Sequence, residues 1–168
     1  MAFAGVAEDA LRASDDTGAQ RYLEHALADI EACLATLTLL AERPAGGERY
    51  PALQPALVFD RARLGAQLRI VTGQYEEAIE LAESGADELE TMLNNLGYGE
   101  EQCADDAGLR YLRGMSVQLR REYGITHTLS EQLAEAVEHE DFETAAQLRD
   151  ELQRRQKDGR RTPGVPEA

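Results

Sequence analysis

Apolar residues recur at three- and four-residue steps along most of this chain, the period of helices laid against a core. From Gln20 to Glu42 the stripe runs through Tyr22, Leu23, Ala26, Leu27, Ile30, Leu34, Leu37 and Leu40 or Ala41. It predicts a helix, with Ala28-Asp29 as a candidate break. Arg43 to Pro51 carries two prolines and a Gly-Gly pair, which no helix interior keeps. Helix resumes near Pro51 or Pro55, because proline fits a first turn. From Leu57 to Val71 apolar side chains cover much of the circumference, which marks the most buried helix. Thr72-Gly73-Gln74 breaks it, and Tyr75 to Leu96 returns through Ala78, Ile79, Ala82, Ala86, Leu89 and Leu93. Asn94 to Gly99 then supplies residues suited to a left-handed cap. A further stripe from Asp106 to Tyr123 stops at Gly124. The last two helices fall between Leu129 and Lys157, and residues 158–168 hold too little apolar surface to fold.

One local pattern occurs three times: Ala28-Asp29-Ile30-Glu31-Ala32-Cys33, Gly73-Gln74-Tyr75-Glu76-Glu77-Ala78 and Glu140-Asp141-Phe142-Glu143-Thr144-Ala145. In each, a polar residue precedes a large apolar one, an acid follows, and a small residue stands three places on. The pattern suits a tight turn between antiparallel helices. The polar residue caps the new helix, the acid favours its dipole, and the small residue allows close approach. On this reading Tyr75 is buried against Leu68 or Val71, and Phe142 anchors the small core of the last hairpin. The copies lie 45 and 67 residues apart, so the repeat is not periodic.

Composition narrows the picture. The chain is 43% hydrophobic but only 5% aromatic, with no tryptophan, so packing rests on leucine and alanine, which favour helix. With 17 Lys and Arg against 32 Asp and Glu, the net charge is −15. Such a surface repels a phosphate backbone, and the dense basic run Arg154, Arg155, Lys157, Arg160 and Arg161 reads as a helix end and solvated tail. Direct nucleic-acid binding is therefore not expected. Cys33 and Cys103 form no CxxC pair, which fits a reducing cytoplasm. Met1 to Ala13 lacks the order of a signal peptide, and no apolar run is long enough for a membrane span.

Leu129, Leu133, Ala136 and Val137, followed by the blocks Glu140-Asp141-Phe142-Glu143, Ala145-Ala146 and Leu148-Arg149-Asp150, closely resemble the UVR motif, named for the UvrB and UvrC subunits of the bacterial excision-repair nuclease. The resemblance covers Leu129 to Gln156. It implies an antiparallel helical hairpin used for protein association, as between UvrB and UvrC and in similar segments of chaperone-type ATPases and of an activator of a protein arginine kinase. Leu64 to Leu89, with Gly73, Tyr75, Ala78 and Ala82, resembles a tetratricopeptide (TPR) unit. It departs from that motif at Arg69, where a large apolar side chain is usual. The whole arrangement is similar to bacterial proteins with TPR-like helices ahead of a terminal UVR motif. Helicase motifs, nuclease domains and zinc-binding CxxC pairs are absent, so none of those activities transfers.

The expected fold is all-α: a TPR-like body of antiparallel hairpins over residues 1–124, a UVR-type hairpin over 125–157, and a disordered tail over 158–168. Two helices of a few turns cannot enclose a core, so one apolar side of the hairpin must be covered by something else. The expected partner-binding residues are Leu133, Val137, Phe142, Ala145, Leu148, Arg149 and Leu152. Arg149 either lies along the apolar face and pairs with Glu138 or Glu151, or reaches a carboxylate on a partner. His25, His127 and His139 stand far apart, no calcium loop accompanies the acidic clusters, and no serine has a nucleophile setting. The expectation is a non-enzymatic adaptor without cofactor or metal, binding a protein partner or a second copy. The alternatives are an accessory factor of nucleotide-excision DNA repair and a regulatory subunit of a kinase or protease system.

Overall fold

The computed structural model describes residues 16–41 and 53–159. Among these the chain is all-α, with seven helices and no strand: α1 (Asp16–Ala41), α2 (Gln54–Val71), α3 (Tyr75–Asn95), α4 (Glu100–Asp105), α5 (Ala107–Tyr123), α6 (Leu129–Glu138) and α7 (Phe142–Gly159). They divide into two compact units, Met1–Gly124 and Ile125–Ala168. The loop expected at Arg43 to Pro51 lies outside the described residues.

In the first unit α2 packs against both α1 and α3, and α5 packs against α3 and also meets α2. The two-sided burial explains why α2 carries no single apolar stripe. Leu64 and Leu68 meet Leu23, Ala26, Leu27 and Ile30 of α1, while Val58 and Ala62 meet Ala86, Leu89 and Leu93 of α3 and Leu109 and Leu112 of α5. Pro55 sits in the first turn of α2, where its missing N–H costs nothing. Gly85 marks the closest approach: a Cβ built there would overlap the Cβ of Ala62 and stand 3.5 Å from its Cα. Arg120 reinforces the α3–α5 seam with a two-pronged pair to Glu83, at 2.9 and 3.1 Å, and Arg113 meets Glu90 at 2.7 Å.

The break expected at Ala28-Asp29 does not form, and α1 runs through it. Aspartate in a helix interior costs well under about 1 kcal/mol, less than the burial of Leu23, Leu27 and Ile30 along one continuous face returns. The first copy of the repeated pattern is thus mid-helix. The other two copies are turns, and they share a backbone device that the first lacks. After α2, Gln74 N–H donates to the Arg69 carbonyl at 2.7 Å and Gly73 N–H to the Ile70 carbonyl at 3.0 Å. Gly73 takes φ 74°. These two bonds, with a left-handed residue at the exit, make a Schellman motif.

Arg69, which departs from the TPR pattern, has a polar role at this turn. Its guanidinium meets Glu77 at 3.0 Å and Gln74 at 3.0 Å, while the Thr72 hydroxyl donates to Gln74 at 2.9 Å. Tyr75 is only half-buried rather than enclosed by Leu68 or Val71. Its ring stacks on Tyr123 at 3.5 Å between centroids and 12° between planes. As the first residue of α3 it lies beyond the end of α2, and the last turn of α5 is what lies beside it. The short helix α4, with Cys103 buried, is a feature no apolar period announces over six residues.

Candidate functional site

The first helix of the second unit begins at a cap that is explicit in the sequence. In Thr128-Leu129-Ser130-Glu131 the Thr128 N–H donates to Glu131 Oε2 at 2.7 Å and the Glu131 N–H to Thr128 Oγ1 at 3.3 Å. This reciprocal capping box starts α6. The exit of α6 repeats the Schellman geometry: Asp141 N–H donates to the Ala136 carbonyl at 2.8 Å and Glu140 N–H to the Val137 carbonyl at 3.1 Å. Here the left-handed position is held by Glu140, at φ 56°. Asp141 then caps α7, its Oδ1 accepting from Thr144 N–H at 3.1 Å and its Oδ2 from the Thr144 hydroxyl at 2.7 Å.

Glu140 carries strain that glycine does not, of about 1 kcal/mol for a side chain held in this region. Glu140→Gly is expected to stabilise the hairpin by roughly that amount, read as about fivefold greater amide-exchange protection in α6 and α7. Equal protection in the two proteins would rule the strain out. Asp141 has its own pH signature. The Thr144 hydroxyl, aided by the Thr144 and Glu143 amides, holds its carboxyl below the ordinary aspartate value. A lowered folded-state pKa gives stability that is full above the ordinary value and is lost as pH falls through the lowered one. Hairpin protection should therefore drop on acidification through that window. Asp141→Asn, which still caps a helix, should flatten the drop, and an unchanged acid profile would remove Asp141 as its source.

α6 and α7 pack together, and among the described residues of this unit Ala136 and Ala145 are the buried apolar ones, at 8% and 7% exposure. Leu129, Leu133, Leu148 and Leu152 are half-buried. Phe142 is not the core anchor that the sequence pattern implies: it is 68% exposed, and Val137 is 53% exposed. Helix phase gives the reason. Ala145, Leu148 and Leu152 set the inward face of α7, and Phe142 lies about a quarter-turn from its centre at roughly 100° per residue. Val137 stands similarly off the face set by Leu129, Leu133 and Ala136. The two large apolar side chains thus flank the turn in solvent.

Arg149, two turns along α7 from Phe142, is exposed and pairs with the neighbouring Asp150 at 3.1 Å. It takes neither Glu138 nor Glu151, and Glu151 is engaged by Arg154 and by Arg155, the latter at 3.0 Å. Asp158 and Gly159, expected in the tail, belong to α7; the rest of the expected tail, residues 160–168, lies outside the described residues. Among the described residues no group of three His, Cys, Asp or Glu could hold a metal ion, and no helix is long and apolar enough to cross a membrane.

A capped helix, a three-residue turn and a second capped helix, with small residues at the contact and large ones flanking the turn, make an antiparallel helical hairpin. Residues 125–158 match the UVR family model, the UvrB/uvrC motif. The match takes in α6 and nearly all of α7, and leaves the first unit outside it. No curated protein and no solved structure matches the chain. Within the UVR hairpin, the expected site residues separate into two groups. Ala145, Leu133, Leu148 and Leu152 face the contact between the helices, while Val137, Phe142 and Arg149 face solvent.

Proposed function

We propose that the UVR hairpin docks onto a protein partner, and that the chain is a non-enzymatic, cytoplasmic adaptor whose TPR-like body carries it. The observation that carries this reading is Phe142, a phenylalanine 68% exposed beside a turn. Large aromatic side chains at the centre of an interface supply much of its binding energy, whereas one left in water gains nothing for the fold. Val137 extends the apolar contact and Arg149 adds a charge at its edge. The motif's UvrB/uvrC name favours excision-repair proteins as the partner class over a kinase or protease, and the net charge of −15 favours docking on such a protein over contact with its DNA.

Phe142→Ala and Val137→Ala in the full chain test this directly. Each is expected to leave helicity and melting unchanged within about 0.5 kcal/mol, as at exposed positions generally, while weakening a partner captured from native lysate and then purified. A loss of about 2 kcal/mol at Phe142, or roughly thirtyfold in Kd, matches an aromatic hot spot. Undiminished affinity in both variants would show that the hairpin is not the binding element.

A further inference from the structure

A second surface lies on the first unit. Helix α5 carries Arg110, Arg113, Arg120 and Arg121 against a single acid, Glu122, in a chain of net charge −15. Arg113 and Arg120 are occupied by Glu90 and Glu83 across the seam with α3. Arg110 and Arg121 make no ion pair among the described residues. They bracket Gly114 and Val117 at steps of four, three and four, so all four residues form one stripe, opposite the face that buries Leu109, Leu112, Ser116 and Leu119. Val117 is 66% exposed.

Gly114 is the telling residue. Glycine is among the weakest helix formers, and at two other positions in these helices it is needed for space. A Cβ on Gly85 would overlap Ala62, and one on Gly108 would stand 3.1 Å from Leu89 and Phe59. At Gly114 nothing among the described residues lies within 4 Å. The body gives no reason for a glycine there, while a helix laid across this face would use it to approach closely.

We infer that the outer stripe of α5 is a docking seat for an acidic amphipathic helix from another protein. The Arg110 and Arg121 guanidiniums are eleven residues apart, about 16 Å along the axis. They fit carboxylates toward the two ends of a partner segment whose middle is small and apolar, over Gly114 and Val117. A second copy fits poorly, because a twofold axis through the middle of the stripe sets Arg110 against Arg121 at both ends. Duplex DNA fits poorly too, since two arginines around an exposed valine release few counterions on an acidic protein.

The probe is a randomised helical-peptide library displayed on phage and panned against the full chain. Enriched peptides should carry acids ten to twelve residues apart around small or apolar residues. A synthesised winner should bind at least tenfold more weakly to Arg110→Glu/Arg121→Glu and to Gly114→Leu, with unchanged circular dichroism in both variants. It should bind Phe142→Ala as tightly as the parent, which separates this seat from the UVR hairpin. Replacing the winner's acids by lysine should restore binding to the double glutamate variant. The inference fails if no peptide is enriched, if the winners bind all the α5 variants equally, or if those variants instead abolish binding to duplex DNA or self-association of the chain.

Discussion

Gly85→Ala is expected to be the most damaging single-methyl change in the first unit. An alanine in a helix interior ordinarily gains about 0.5–1 kcal/mol over glycine. Here the new Cβ meets the Ala62 Cβ, which is fixed to the backbone of α2 and cannot swing aside. Only separation of α2 from α3 relieves the overlap, and it loosens the contacts of Val58 and Ala62 with Ala86, Leu89 and Leu112. Overpacking of this kind costs about 1–3 kcal/mol or more, so the clash outweighs the helix gain. Melting should fall by on the order of 5–10 °C for a unit of this size. Ala62→Gly in the same chain should restore much of the loss, since it removes the atom that is struck. A Gly85→Ala protein as stable as the parent would mean that the two helices do not approach closely at this point.

The second large effect is expected at Ala145, and it is the opposite of what hydrophobicity ranks first in this segment. Ala145→Leu forces three heavy atoms into the contact between α6 and α7, where Ala136 and Ala145 are both nearly closed to water. A pair of helices this short has little stability of its own, so a cost of about 1–3 kcal/mol should open it. The expected result is loss of amide protection throughout α6 and α7, with α2 and α3 still protected. Phe142→Ala should leave that protection intact. If Ala145→Leu keeps the hairpin closed while Phe142→Ala opens it, the assignment of inward and outward residues on α7 is reversed.

The all-α class was legible because each helix except α2 and the short α4 buries one stripe, and a stripe imposes its period on the sequence. The turns at Gly73 and Gly97 were legible too, since glycine marks a left-handed backbone. Glu140 does the same work without a residue type that announces it, so the matching turn in the hairpin showed in the neighbouring pattern and not at its key position. Ala28-Asp29 shows the converse: side chains that suit a turn do not make one when no residue takes positive φ and a long apolar face continues on both sides. Phe142 was misjudged because residue type fixes how apolar a side chain is, while the phase of the helix fixes where it goes. That phase is set by the smaller Ala145, Leu148 and Leu152. The seat on α5 was invisible for a related reason: Arg110, Gly114, Val117 and Arg121 look scattered in sequence and align only on a helix whose inward face is known.

The stacked rings of Tyr75 and Tyr123 give the first unit an optical label of its own. With six tyrosines, three phenylalanines and no tryptophan, near-ultraviolet absorption and emission are dominated by tyrosine. Two phenols held nearly parallel at 3.5 Å couple electronically in a way that isolated rings do not. The neighbouring Tyr75 hydroxyl also raises the Tyr123 pKa above the ordinary tyrosine value, so this ring should form its phenolate late in an alkaline spectrophotometric titration. Because one ring opens α3 and the other closes α5, the near-ultraviolet dichroism reports whether the two ends of that packed pair stay together. Occupancy of the α5 seat can then be followed on the unlabelled protein.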